Sequence, residues 1–103
     1  MRTTVSSTAM IEAFTLALQQ QSLSPHTIAA YRRDLARLDE WLVSSELTWQ
    51  TLNTEQLTLW LNDKTINAST STVNRRIATL KRFYQWGIEQ EHFQQNPAAT
   101  LRT

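Results

Sequence analysis

With 103 residues, of which 41% are hydrophobic, the chain has the length of one domain and can bury a modest core. The single glycine and two prolines are too few for the tight turns of a sheet protein, so we predict an all-α fold, and the absence of cysteine excludes disulfides and thiolate metal sites. The formal net charge of only +1 does not by itself indicate a polyanionic partner, so the distribution of charge along the chain becomes the informative quantity.

The first two predicted helices have clear apolar stripes. Apolar residues recur at three-to-four spacing from Met10 to Leu18, which predicts an amphipathic helix from residue 7 or 8 to residue 20. Ser24 has the residue type of an N-cap and Pro25 that of a first helical position, so a second helix is predicted to begin there. Its apolar stripe continues to Val43 or Ser44.

The third and fourth predicted helices also have recognisable starts. Asn53 and Gln56 are three residues apart and predict a capping box at the start of a short third helix. A polar run then interrupts the apolar pattern, and Ser69 or Ser71 is expected to cap a fourth helix that extends to about Gln90.

Gly87 falls on the predicted buried face of the fourth helix, where glycine costs roughly 1 kcal/mol relative to alanine. We therefore predict that another helix packs close to the backbone there. Asn96-Pro97 ends any helix, because the residue before a proline disfavours the helical region. No repeat or linker divides the chain, so residues 8–96 are predicted to form one domain preceded by a polar, flexible tail over residues 1–7.

Seven of the ten basic residues lie on the second and fourth predicted helices. On the second helix, a step of about 100° per residue places His26, Arg33 and Arg37 opposite the apolar stripe, with Ala29 and Ala30 between them. Small side chains allow a helix backbone to approach a partner closely while the flanking arginines reach around it. This arrangement suits a helix that lies in a DNA groove.

On the fourth helix, Arg75 and Arg82 are predicted to project from one exposed face together with Ser71, Thr72 and Thr79. Arginine contacts guanine edges or phosphate, and serine and threonine contact phosphate oxygens, so this face also suits DNA. Arg76 and Lys81 lie nearer the core edges and are weaker candidates.

The same charges are also compatible with ordinary solvated helix faces. Asp34, Asp39 and Glu40 lie on the second helix and are near enough in sequence to pair with its arginines. Charge alone therefore leaves a solvated surface and a nucleic-acid surface as open alternatives.

Residues for other kinds of chemistry are sparse. His26 and His92 lie in different elements without spaced carboxylates, so no metal site or general base is predicted. Tyr31 and Tyr84 fall on core faces, where packing is the expected role. The chain has no apolar signal-peptide stretch and no run of about 18 apolar residues, so we expect a cytoplasmic protein with no membrane partner and no cofactor.

Two segments and the chain's last proline together carry a family resemblance. These are Leu23-Ser-Pro-His-Thr-Ile-Ala-Ala-Tyr-Arg-Arg-Asp-Leu35 followed by Trp41-Leu42, then Thr72-Val-Asn-Arg-Arg-Ile-Ala-Thr-Leu-Lys-Arg-Phe-Tyr-Gln-Trp86, and finally Asn96-Pro97-Ala98. In this order and spacing they resemble the N-terminal core-binding domain of tyrosine recombinases of the phage integrase, Xer and integron-integrase type. The resemblance covers nearly the whole chain, from about residue 10 to residue 101.

The resemblance implies a SAM-like bundle of four or five helices that binds double-stranded recombination-site DNA. In that family two helices, corresponding to the second and fourth here, lie in or across the major groove. There the domain forms half of a clamp whose other half is a separate C-terminal catalytic domain. Residues 97–103 would then begin the linker to that domain, and other recombinase subunits would be partners of the full-length protein.

The resemblance also assigns positions and excludes catalysis. Thr27, Tyr31 and Arg33 fall in the family's second-helix motif, and Arg75 and Arg82 fall in its last helix. The catalytic arginines, histidines or lysine and nucleophilic tyrosine of the family belong to the C-terminal domain, so this chain is expected to contain no catalytic residue and not to cut DNA alone. The predicted DNA-binding residues are His26, Thr27, Arg32, Arg33, Arg37, Ser71, Thr72, Arg75, Thr79 and Arg82.

Two functional classes other than a recombinase DNA-binding domain are also compatible with these features. One is a helical-bundle protein-interaction domain whose basic faces bind a protein. The other is a stand-alone DNA-binding regulator, which the long stretch between the second and third helices disfavours, because a helix-turn-helix needs a tight turn there. We expect the isolated domain to be monomeric, because no large apolar surface is left over.

Overall fold

The computed structural model describes residues 6–63 and 69–102. Within these ranges the chain forms four helices and no strand: α1 (Ser7–Gln20), α2 (Pro25–Ser44), α3 (Thr54–Leu61) and α4 (Thr70–Glu89). The predicted all-α fold is confirmed, and a fifth helix is absent from the described part of the chain. None of the described helices is long and apolar enough to cross a membrane.

Each helix start is fixed by a local cap. Ser24 accepts a hydrogen bond from the Thr27 amide at 3.2 Å, and the predicted capping box is present, with Asn53 and Gln56 each accepting from the other's backbone amide at 2.8 and 3.0 Å. At α4 the cap is Ser69, which accepts from the Thr72 amide at 3.2 Å. These bonds satisfy amide groups that have no partner within the helix, and so they set where each helix begins.

Three helices end in the same way without glycine. Ser22, Glu46 and Glu91 follow the C-caps of α1, α2 and α4 and have φ values of 64°, 57° and 64°. At each of them the chain doubles back in a Schellman motif; after α2, for example, the Leu47 amide donates to the Leu42 carbonyl at 2.8 Å. Glycine is the usual residue at this position, because the left-handed conformation strains a residue that has a side chain. Here Ser22, Glu46 and Glu91 adopt it instead.

The core lies between α1, α2 and α4 and extends beneath the loops. Its fully buried side chains include Phe14, Leu38 and Phe83. Two aromatic residues outside the helices complete it, Trp49 between α2 and α3 and Phe93 after α4, and neither was predicted to be buried. Both belong to one cluster of aromatic rings around Phe83.

Tyr84 joins α4 to the loop after α2. It is buried as predicted, and its hydroxyl donates to the Trp49 carbonyl at 2.8 Å. The indole Nε1 of Trp49 donates in turn to the Asp39 carboxylate at 2.9 Å. Burial raises the pKa of Tyr84 above its ordinary value, which fits a packing role rather than a nucleophilic one.

Gly87 is buried, and another part of the chain packs closely against its backbone, as predicted. The prediction that this neighbour is a helix is wrong. A Cβ atom at this position would overlap the ring of Phe93, which lies in the segment after α4 and not in another helix. The left-handed turn at Glu91 reverses the chain and brings Phe93 back onto the last turn of α4.

The C-terminal segment starts inside the folded domain. Pro97 and Ala98 are buried, and the Thr54 hydroxyl donates to the Pro97 carbonyl at 2.7 Å. The Asn96 side chain donates to the carbonyl of Lys81 at 3.2 Å. Residues 97 and 98, where the linker is predicted to begin, are thus buried, and Pro97 is tied to the start of α3.

Candidate nucleic-acid interface

The α2 surface opposite the core carries a basic row. His26, Arg33 and Arg37 are all exposed, as predicted, and no hydrogen bond or ion pair joins them to another residue in the described ranges. Ala29 is exposed beside them. We call His26, Arg33 and Arg37 the α2 basic row; their charged or polar ends are available to a partner.

Two further candidates on α2 are already engaged with the protein. Arg32 donates to the Thr15 hydroxyl at 3.1 Å and lies 3.8 Å from the Glu12 carboxylate, so its side chain leans onto α1. The Thr27 hydroxyl is 2.9 Å from that of Ser24 and forms part of the helix cap. The structure therefore does not bring Arg32 and Thr27 into the α2 basic row.

On α4, two candidates keep an exposed position. Ser71 lies in the first turn and is exposed, and Arg82 is exposed with one hydrogen bond of 3.3 Å to the Gln21 side chain. Eleven residues separate them, which returns nearly to the same helix face at 100° per residue. Thr72 is partly buried, and its hydroxyl accepts from Ser69 at 3.0 Å in the α4 cap.

Arg75 was predicted to project from an exposed face of α4, and its side chain is partly exposed there but is bound to Asp34 of α2. Its Nε and Nη2 donate to the two carboxylate oxygens of Asp34 at 3.0 and 2.8 Å, a bidentate ion pair between α4 and α2. The Asp34 carboxylate is 3% exposed, whereas the Arg75 side chain is 40% exposed. The hydrogen bonds to Asp34 raise the pKa of Arg75, so this guanidinium is charged at every relevant pH.

Thr79 was also predicted to be exposed, and the structure contradicts this. It is completely buried, and its hydroxyl lies 2.8 Å from the Arg75 carbonyl, to which it donates, and 3.4 Å from the Asp34 carboxylate. Asp34 thus faces α4 and not the arginines of its own helix. Thr79 is buried because α2 packs along this side of α4 and covers a face that the sequence alone predicts to be polar and exposed.

Arg76 completes the group around Asp34. Its guanidinium is 6% exposed, lies 3.6 Å from the Asp34 carboxylate and stacks over the Trp60 ring at 5.6 Å. Its Nε is buried with no hydrogen-bond partner. We call Asp34, Arg75, Arg76 and Thr79 the Asp34 cluster; it contains one buried carboxylate and two guanidinium groups, and hence carries a net positive charge.

No group of three or more His, Cys, Asp or Glu side chains that could hold a metal ion occurs within residues 6–63 and 69–102.

Residues 11–91 match the family model of the phage integrase N-terminal SAM-like domain. The chain belongs to this family. The match covers α1 from residue 11 onward and all of α2, α3 and α4, including the α2 basic row and the Asp34 cluster.

Curated relatives agree with the family model. The chain is 35% identical over 82% of its length to the tyrosine recombinase XerD of Proteus mirabilis, and 31% identical over 95% of its length to XerD of Ralstonia nicotianae. It is 32% identical over 81% of its length to the tyrosine recombinase XerC of Xylella fastidiosa strain 9a5c. The matches cover 27%, 32% and 29% of these relatives, so the chain spans less than a third of their length.

Sequence reasoning missed the Asp34 cluster in this SAM-like domain, although one signal was present. Asp34 stands at helical spacing from Tyr31, Leu38 and Trp41, three residues of the apolar side of α2. A carboxylate on an apolar stripe requires a buried cationic partner. The neighbouring pair Arg75-Arg76 could supply it, but the choice between them and an α2 arginine depends on helix packing.

Proposed function

We propose that this SAM-like domain binds double-stranded DNA as the core-binding domain of a tyrosine recombinase. The observation that carries the proposal is the α2 basic row, because Arg33 and Arg37 are exposed on one helix face and make no ion pair within the described chain. Family membership and the names of the XerC and XerD relatives support the same function.

The α2 face has the chemistry of a DNA contact. Exposed guanidinium groups bind phosphate oxygens or guanine edges, often with two parallel hydrogen bonds. Ala29 lies beside the arginines and leaves room for the helix backbone to approach the groove. Because the chain's net charge is only +1, we expect binding by this domain alone to be weak and to depend strongly on salt.

In the complete recombinase we propose that this domain forms one half of a clamp around the recombination site. Strand cleavage and rejoining are then performed by the catalytic part of the protein and not by these residues. The other proposed partners are further recombinase subunits on the same DNA.

The proposal is tested by titrating a fluorescently labelled DNA duplex with the chain at two salt concentrations. Arg33→Ala and Arg37→Ala should each weaken binding and reduce the slope of log affinity against log salt by about one unit, because each removes about one phosphate contact. Arg102→Ala is the matched control, since it removes an arginine that is also exposed but lies outside α2 and α4. Salt-independent binding, or equal effects of Arg33→Ala and Arg102→Ala, would contradict the proposal.

A further inference from the structure

The Asp34 cluster fixes one arginine at the surface. A guanidinium has five N–H groups, and Arg75 uses one on Nε and one on Nη2 for the buried carboxylate of Asp34. These two lie along one edge of the planar group, so three N–H groups, one on Nη2 and two on Nη1, make no bond to Asp34. The Arg75 side chain is 40% exposed and the Asp34 side chain only 3%, so Arg75 is the member of this pair that reaches the surface.

We propose that Asp34 is a positioning residue that orients Arg75 for a phosphate of the DNA backbone. The inference rests on the proposed function and deepens it, since it adds a buried carboxylate to the DNA-binding machinery. Arg33 and Arg37 must lose side-chain freedom when they bind DNA. Arg75 has already lost much of this freedom through its bidentate pair, so its contact with DNA costs less entropy.

Thr79 supports the orientation from below. Its hydroxyl donates to the backbone carbonyl of Arg75 and lies 3.4 Å from the Asp34 carboxylate oxygen that accepts from Arg75 Nε. The one proton of the hydroxyl goes to the Arg75 carbonyl, so Thr79 anchors the backbone of Arg75, and the guanidinium of Arg75 holds the Asp34 carboxylate from the α4 side. Such supporting contacts are what keep a binding side chain in a fixed geometry.

The charge of Asp34 does not cancel the attraction of this surface for phosphate. Two guanidinium groups share the one carboxylate, at 2.8 Å for Arg75 and 3.6 Å for Arg76. Arg76 is almost fully buried over Trp60 and cannot reach a partner. Arg75 is therefore the member of the Asp34 cluster that presents a charged group at the surface.

Asp34→Asn separates positioning from simple electrostatics, because the two predict opposite signs. The variant is nearly isosteric and removes one negative charge. If Asp34 acted only by its charge, the variant would bind the polyanion more tightly. If Asp34 positions Arg75, loss of the bidentate pair weakens binding in spite of the added net positive charge.

The experiment measures duplex DNA binding by fluorescence anisotropy for wild type, Asp34→Asn, Arg75→Ala and the double variant, at a temperature where circular dichroism shows each one folded. We expect Asp34→Asn to weaken binding roughly threefold or more, the range set by immobilising one long side chain. Arg75→Ala should cost less affinity in the Asp34→Asn background than in wild type. Unchanged or tighter binding by Asp34→Asn, or an equal cost of Arg75→Ala in both backgrounds, would overturn the proposal.

Arg75→Lys tests the same idea if Asp34→Asn does not fold. Lysine keeps the charge and one ion pair but loses the fork that matches the carboxylate. We expect weaker DNA binding than wild type with the salt slope retained, whereas wild-type affinity of Arg75→Lys would refute positioning. Arg33→Ala distinguishes the two proposals. If Arg33→Ala weakens DNA binding while the Asp34 and Arg75 variants do not, only the positioning role of Asp34 fails. If the wild-type chain shows no salt-sensitive DNA binding, the proposed function itself fails.

Discussion

The substitution Gly87→Ala has two opposite effects on the free energy of unfolding. The backbone of Gly87 is helical, without a positive φ, so alanine would stabilise α4 by about 1 kcal/mol through helix propensity. The new methyl group, however, would overlap the ring of Phe93. Which effect is larger depends on whether that ring can move.

The surroundings of Phe93 leave its ring little freedom. It is 6% exposed and lies 4.7 Å from the Tyr84 ring and 5.7 Å from the Phe83 ring, centroid to centroid. Overpacking of a core costs about 1–3 kcal/mol, and complete expulsion of the ring would approach the 3–5 kcal/mol of a Phe→Ala change. After subtraction of the propensity gain, we expect Gly87→Ala to lower the free energy of unfolding by about 2 kcal/mol and the melting temperature by roughly 10 °C.

Urea unfolding followed by tryptophan fluorescence measures this change, and the Phe93→Ala background provides the control. Without the ring, Gly87→Ala should increase the free energy of unfolding by about 1 kcal/mol, because only the propensity effect remains. The sign of the effect therefore reverses between the two backgrounds. A neutral or stabilising Gly87→Ala in the presence of Phe93 would refute the reasoning.

Further predictions concern caps and the buried tyrosine. Glu46→Gly should raise the free energy of unfolding by about 0.5–1 kcal/mol, because Glu46 has a positive φ. The control Glu40→Gly, inside α2, should lower it by about 1 kcal/mol. Urea titrations compare the two variants. Asn53→Ala removes the capping box of α3 and should cost about 1 kcal/mol, a loss visible in the same titrations. Tyr84→Phe leaves the buried Trp49 carbonyl without its donor and should cost about 1 kcal/mol near neutral pH. Because burial raises the pKa of Tyr84, the unfolded chain loses the phenol proton at a lower pH than the folded protein does. The contribution of Tyr84 to the free energy of unfolding is therefore complete below about pH 10. Above that pH it falls by up to about 1.4 kcal/mol per pH unit. Melting curves across that range should show this component in wild type and not in Tyr84→Phe; an identical alkaline loss in both would contradict it.

The sequence by itself determined the helices of this protein and much of its basic surface. The N-caps Ser24 and Asn53 act through hydrogen bonds to residues three positions away, so they are visible in a short stretch of sequence. The exposure of Arg33 and Arg37 follows equally from the 100° step of α2, which places them opposite its apolar stripe. Their contact with DNA stays a prediction until it is measured.

Only the tertiary structure decided which polar residues are covered. Helical periodicity gives the direction of a side chain around its own helix axis, but it does not say which neighbouring helix packs against that side. Thr79 and Arg75 were therefore placed on an exposed face, although α2 covers Thr79 and Asp34 binds Arg75. The packing of Phe93 on Gly87 was equally hidden from the sequence, because it depends on a reversal of the chain after α4. That reversal occurs at Glu91, and no glycine marks its position.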